Sequence, residues 1–186
     1  MIAREGLSIG TELFTSTVNS NHVYLLDYQD NRQFIISTKY HLNLSSVKLF
    51  TGSIADYLPS ELYEKYPMVT DWMIVPVPLY WRSRLKRRFS LNHIIAKQLA
   101  NRLGYQYLNC LSNRSAKTQG QAGSKTQRLK NAAHKFKLKK LAHKKIINKN
   151  IILLDDVVAT GATMKTCEQI LKNAGARQVV WLSLGH

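Results

Sequence analysis

The sequence predicts a single α/β domain built on a parallel sheet with helices on both faces. Three observations carry that prediction. Strand-like and helix-like segments alternate from Trp72 onward. The run Ile151, Ile152, Leu153 and Leu154 is apolar at every position, the pattern of a strand covered on both sides. The set that follows it, Met164, Cys167, Ile170, Leu171 and Ala174 closed by Gly175, recurs at helical spacing. With 186 residues, 45% of them apolar, the chain is long enough to bury the core of one such domain, taken as residues 1–186.

In chain order, residues 1–50 are the hardest part to assign. Residues 23–28 read as a strand, and residues 32–36 fit either the second arm of a hairpin around Asp30 and Asn31 or the opening turn of a helix. Residues 53–66 read as a short helix, with Ser53 in the N-cap position and Pro59 as a point of restart. Residues 72–79 form a strand running into a turn, because Pro76 and Pro78 each remove a ladder donor and bias the preceding residue toward extended geometry. Ser90 then opens a helix through Leu91, Ile94, Ile95, Leu99 and Leu103, which Gly104 stops. Between Leu111 and Lys135 the chain is polar, with little apolar periodicity, and reads as a long mobile loop whose cations and amides suit phosphate oxygens. Residues 136–138 resume a strand, residues 139–150 are a basic connector, and residues 178–184 supply the last strand. No internal repeat is evident.

The charge is uneven. From Trp72 to Leu154 there is no Asp or Glu, while that stretch holds 19 of the 27 Lys and Arg, so the formal net charge of +16 arises entirely there. Such a field attracts polyanions without regard to sequence and in a salt-dependent way. No stretch approaches eighteen consecutive apolar residues, and the N-terminal segment carries Glu5 and Glu12 without an apolar core, so neither membrane insertion nor secretion is indicated and a cytoplasmic location is expected. Cys110 and Cys167 stand alone, without the spacing of a zinc site or a disulfide framework, and read as small buried residues.

The most specific signal is the segment from Ile151 to Thr163, in which the apolar strand meets Asp155 and Asp156 and then the small loop Ala159, Thr160, Gly161, Ala162, Thr163. Where a strand becomes a helix, exposed backbone N–H groups and the positive end of the helix dipole attract phosphate, and Gly161 lets a ligand approach the backbone closely. The loop has neither a Walker-type Lys nor a G-x-G-x-x-G run, which excludes a nucleotide P-loop and a dinucleotide fingerprint. Adjacent acids suit vicinal hydroxyls of a phosphorylated sugar. Because neighbouring strand residues point to opposite faces, both reach one ligand only where the backbone turns. Helix capping by the Asp pair alone leaves the conjunction of apolar run, acid pair and Thr-Gly-x-Thr unexplained.

These residues resemble the 5-phosphoribosyl-1-pyrophosphate (PRPP) binding motif of type I phosphoribosyltransferases: four aliphatics, two acids, two variable positions, then small-Thr-Gly-x-Thr. The resemblance implies the parallel sheet and flanking helices of that fold, ribose contacts from Asp155 and Asp156, and a 5-phosphate wrapped by Ala159, Thr160, Gly161, Ala162 and Thr163. Within the superfamily the order Val75-Pro76-Val77-Pro78-Leu79, an Arg cluster ending in Arg87-Arg88-Phe89, an Arg/Gln-rich segment and the PRPP motif is similar to the competence protein ComF family. Arg114, Lys117-Thr118-Gln119, Arg128, Asn131 and Phe136 fall in the order of that family's R…T-x-Q…R-x-x-N…F pattern. Two departures stand out: the family's N-terminal zinc ribbon with paired C-x-x-C is missing, and Arg87-Arg88-Phe89-Ser90-Leu91 replaces the usual R-G-F-N-Q.

The resemblance implies a PRPP-binding protein of natural competence that handles incoming single-stranded DNA, with other competence proteins such as a DNA translocase as partners. It places the pyrophosphate at the turn of Val77, Pro78, Leu79 and Tyr80, with Mg²⁺ bridging pyrophosphate and ribose oxygens. Arg82, Arg84, Lys86, Arg87 and Arg88 form a cationic wall, which Arg114, Lys117, Gln119 and Arg128 extend toward nucleic acid, with Tyr80, Trp81 and Phe89 as candidate stacking platforms. The first alternative is an active enzyme moving the phosphoribosyl group from PRPP to a nitrogenous base, for which no base-recognition hood or catalytic acid or base is identified. The second is a module that binds PRPP or a nucleotide as a signal.

Overall fold

A computed structural model describes residues 22–26, 32–33, 36–37, 44–79, 90–113 and 135–185. Its elements are β1 (His22–Leu26), α1 (Leu44–Lys65), β2 (Trp72–Pro76), α2 (Leu91–Leu103), β3 (Gln106–Tyr107), β4 (Leu111–Asn113), β5 (Phe136–Leu138), a 3-10 turn (Lys140–Ala142) leading into α3 (His143–Ile146), β6 (Asn150–Val157), α4 (Ala162–Asn173) and β7 (Gln178–Gly185). Five strands form one sheet in the order β1-β7-β6-β2-β3, and every pairing in it is parallel.

The expected fold class is therefore observed, and β6 shows why. Ile152 and Leu154 enter the core on one face with Val47, Phe50, Ile54, Leu58 and Leu62 of α1 and Leu91, Ile95 and Leu99 of α2. Ile151 and Leu153 enter the other core with Met164, Cys167 and Leu171 of α4 and Ile146 of α3. All four β6 aliphatics are at most 1% exposed. A strand apolar at consecutive positions is thus satisfied by two layers of helix, as the unalternating run requires.

Several expectations change at element boundaries. α1 begins at Leu44, earlier than the expected 53–66, and passes through Pro59 without ending. Its buried stripe outweighs the local signals. Burying five large apolar side chains contributes about 1.5–3 kcal/mol each, against about 3 kcal/mol for an interior proline. The Tyr57 hydroxyl donates to Glu61 across the Pro59 turn, and Ser60 Oγ donates to the Tyr57 carbonyl at 2.7 Å. Arg32, Gln33, Ile36 and Ser37 are helical, so the helix alternative holds there, and β1 pairs in parallel with β7. Ser90 occupies the N-cap position of α2 with extended backbone, yet its side chain makes no capping hydrogen bond. Gly104 ends the helix in the left-handed region at φ 69°, as expected of a glycine there.

The polar segment expected to run as a loop from residue 111 to 135 starts as a strand. Leu111–Asn113 pairs antiparallel with Phe136–Leu138 in a separate two-stranded ribbon, and the rest of that segment, residues 114–134, lies outside the described residues. Leu138 and Phe136 pack on the α4 side of the sheet, which explains how so short a ribbon holds its place. Strand β3 had no sequence counterpart, since two residues carry no periodicity. The basic connector folds into the 3-10 turn and α3 by burying Ala142 and Ile146.

Two predictions follow from this packing. Pro59→Ala restores a helical donor and removes the ring clash, so the urea unfolding midpoint should rise, by up to about 3 kcal/mol of stability; an unchanged or lower midpoint refutes the account of α1. Burial pushes the Cys110 thiol from 9.0 up to about 12, and burial raises Cys167 as well. Raised thiol pKa values stabilise the fold fully below the unfolded value and lose that contribution as pH climbs from about 9 toward 12. Neither thiol should react with a disulfide reagent at pH 8 until the chain unfolds.

Candidate functional site

The sheet order creates a topological switch between β2 and β6. From β2 the chain continues through α2 to β3 on one side, and from β6 it continues through α4 to β7 on the other. The two crossover helices pack on opposite faces, α2 with α1 and α4 with the small ribbon. Connections that diverge in this way leave a crevice outside the carboxyl ends of the two strands, where ligands of open α/β sheets bind.

The walls of the crevice are the turn after β2 and the acids at the end of β6. The Val77 N–H donates to the Leu154 carbonyl at 2.8 Å, carrying the ladder one residue past β2. Beyond that point the strands part. Asp155 Oδ1 accepts from the Asp156 N–H at 2.9 Å, and Asp156 Oδ1 accepts from the Val157 N–H at 2.8 Å. Alternation also breaks: Leu154 and Val157, three positions apart, both pack into the α1/α2 core. β6 nevertheless keeps its register with β7 through the acid pair as far as Val157, so the turn expected at the acids comes only after them. Val77 and Pro78 are buried and Leu79 is half-buried at the opposite wall.

The loop after β6 forms a depression of about 150 Å³ lined by Asp155 and by residues 157–164. Asp155 reaches it, whereas Asp156, 6% exposed, does not line it. The first intrahelical bond of α4 runs from the Lys165 N–H to the Gly161 carbonyl at 2.8 Å. Helix geometry therefore leaves the N–H groups of Ala162, Thr163 and Met164 without an intrahelical acceptor. Thr160 and Thr163 are exposed beside them, and Thr160 Oγ1 lies 3.5 Å from the Ala162 nitrogen. No acid stands in the first turn of α4. The chemistry on offer is anion binding by backbone donors and hydroxyls, next to a carboxylate that accepts hydrogen bonds from hydroxyl groups.

Gly161 is required twice over. Its φ is +67°, and a Cβ there would lie 3.2 Å from Trp181 Cζ3. The indole of Trp181, on β7, is the floor of the loop. Its Nε1–H donates to Glu168 of α4 at 2.9 Å, and its ring meets His22 of β1 edge-on at 5.8 Å. His22 Nε2 in turn lies 2.9 Å from Ser183 Oγ, both side chains being buried. Sequence reasoning assigned Trp181 to the last strand and saw no link to the loop. Nor did it find Asn92, whose Nδ2 donates to Asp155 Oδ1 at 2.8 Å and to the Val77 carbonyl at 3.2 Å. An Asn in an otherwise apolar helix face was the available signal.

The structure thus brings Asp155, Ala159, Thr160, Gly161, Ala162 and Thr163 together, with Val77, Pro78 and Leu79 at the other end of the crevice. Tyr80, Trp81, Arg82, Arg84, Lys86, Arg87, Arg88 and Phe89, and likewise Arg114, Lys117, Gln119 and Arg128, lie outside the described residues. Among the described residues, no group of three or more His, Cys, Asp or Glu side chains could hold a metal ion, and no helix is long and apolar enough to cross a membrane. Within the acid-free block, Lys135, Lys137, Lys140, Lys144 and Lys145 are exposed, while Lys139 is tied by its ammonium to the Asn109 carbonyl and side chain at 3.0 and 2.7 Å.

Gly161→Ala tests the loop: left-handed strain plus the Trp181 contact should destabilise the fold by about 1–2 kcal/mol and shift the tryptophan fluorescence. A variant with wild-type melting temperature and emission would show that the indole floor does not constrain the loop.

The phosphoribosyl transferase domain family matches residues 91–182, a span that runs from the start of α2 to β7. Competence protein F of Haemophilus influenzae is 29% identical over 110 residues, covering 58% of this chain and 48% of the relative, so the chain spans about half the length of that curated relative. Among solved structures, the glutamine PRPP amidotransferase from B. subtilis aligns over 76% of this chain and 26% of its own with a TM-score of 0.47 and 17% identity. Adenine phosphoribosyltransferase from Saccharomyces cerevisiae aligns over 72% and 68% with a TM-score of 0.45 and 19% identity. The domain match and the likeness to competence protein F, together with the parallel sheet, support a ComF-like member of the phosphoribosyltransferase superfamily.

Proposed function

We propose that this protein binds PRPP in the crevice between β2 and β6 and serves natural competence, where it engages single-stranded DNA. The observation that carries the PRPP reading is the depression with Asp155 on its wall and the open N–H groups of α4 at its mouth. In this reading Ala159, Thr160, Gly161, Ala162 and Thr163 hold the 5-phosphate. Asp155 accepts from the ribose hydroxyls, with Asp156 at the adjoining, nearly covered position. Val77, Pro78, Leu79 and Tyr80 face the pyrophosphate. A Mg²⁺ ion suits this arrangement, because Mg²⁺ is commonly held by substrate phosphates and one or two carboxylates and does not need an all-protein cage. Asp155 and Asp156 are the carboxylates that would serve it, and the ion would neutralise pyrophosphate charge.

The DNA reading rests on charge. The acid-free block from Trp72 to Leu154 holds 19 basic residues, and its described lysines at positions 135, 137, 140, 144 and 145 are exposed to solvent. Such a surface attracts a phosphate backbone without reading its bases. The competence role comes from the likeness to competence protein F.

Calorimetric titration with PRPP and Mg²⁺ tests the site. Wild type should bind, and Asp155→Ala/Asp156→Ala should weaken binding about 100-fold or more, the loss of two hydrogen bonds to charged groups. Equal binding by the two proteins sinks the assignment. A labelled single-stranded oligonucleotide should bind more weakly as salt is raised, with a logarithmic slope of about 0.7 per phosphate contact. Salt-insensitive or absent binding removes DNA from the reading, and pyrophosphate release with any nucleobase replaces binding alone with turnover.

A further inference from the structure

We infer that Asn92 is the positioning residue of the crevice, holding the carboxylate of Asp155 and the turn after β2 in one fixed relation; this rests on the PRPP reading of the site. Asn92 sits in the first turn of α2 and is 1% exposed, between the core residues Leu91 and Ile95. Its two amide hydrogens are both used, one on Asp155 Oδ1 at 2.8 Å and one on the Val77 carbonyl at 3.2 Å. Those acceptors lie on β6 and in the turn just after β2, the two strands that part at the switch, so one side chain spans the mouth of the crevice between them.

The amide orientation is dictated by its surroundings. Turned over, it would set its oxygen against a carboxylate and a carbonyl at the same time, and nothing would donate to either. In the observed orientation Asn92 Oδ1 is buried and finds no hydrogen-bond partner among the described residues. A buried orphan oxygen is unfavourable, and an apolar side chain would suit the same helix face better. An amide kept there, with its donors spent on the end of β6 and the turn after β2, is placed for the crevice and not for the core. Asn92 touches Asp155 from the α2 side, leaving the carboxylate on the wall of the depression. It therefore acts on a ligand through Asp155 and through the Val77 turn, and not by contact.

Two consequences separate this role from simple packing. A ligand carrying ribose and 5-phosphate feels Asn92 through Asp155 alone, while PRPP also feels it through the Val77 turn. The effect on the first ligand must then vanish when Asp155 is removed. The experiment compares wild type, Asn92→Ala, Asn92→Asp, Asp155→Ala and Asn92→Ala/Asp155→Ala by titration with ribose 5-phosphate and with PRPP plus Mg²⁺, with melting temperature as the fold control. Asn92→Ala should raise the Kd for ribose 5-phosphate about 10-fold, and the Kd for PRPP by more. In the Asp155→Ala background the same change should alter ribose 5-phosphate binding less than about 2-fold. Asn92→Asp keeps the shape but faces two acceptors with a third, so it should bind at least as poorly as Asn92→Ala; it also serves if the alanine variant fails to fold. Wild-type affinity in Asn92→Asp, or additive losses in the double variant, overturns the positioning role while leaving the PRPP site intact. Failure of wild type to bind either ligand, or Asp155→Ala binding both as wild type does, overturns the site reading and this inference with it.

Discussion

Everything at the site depends on the burial of β6 on both faces. A strand with Ile151, Ile152, Leu153 and Leu154 in sequence has no solvent-facing side, so helices must cover it twice. The coverage comes from crossover connections, and these leave the sheet in opposite directions from β2 and β6. The crevice is a geometric by-product of that divergence, and the acids fall at its lip because they are the first residues after the aliphatic run.

Around the lip the polar groups are organised by three residues that carry no charge. Asn92 ties the end of β6 to the turn after β2, Gly161 takes a backbone conformation that other residues resist, and Trp181 supplies the surface on which that glycine rests. Glu168 fixes the indole in turn, so α4 is bound to β7 through the same contact that shapes the loop. The N-terminal end of α4 is therefore held in place from below as well as along the helix. Rigid support of this kind keeps backbone donors aimed at a fixed point, which lowers the ordering needed when an anion arrives.

Much of this was legible in the residues. The aliphatic run, the acid pair and the Thr-Gly-x-Thr loop predicted the strand, the turn and the helix that follow, because each local preference agrees with the burial it meets. Legibility failed where tertiary contacts overrode local signals. Pro59 marks a break in any local reading, yet α1 continues through it because Val47, Phe50, Ile54, Leu58 and Leu62 share one buried stripe. The ribbon of β4 and β5 joins segments more than twenty residues apart, and β3 is too short to show a period.

By itself the sequence determined the class of fold, the place of the small Thr-Gly loop and the acids beside it, since periodicity and the chemistry of a small segment are local properties. Only the tertiary structure decided which strand lies against β6, that Asp155 and not Asp156 lines the depression, and that Asn92 and Trp181 belong to the site. Those facts depend on contacts between residues far apart in the chain, where an apolar helix face or a buried strand position admits many partners and only simultaneous packing of both sheet faces selects one.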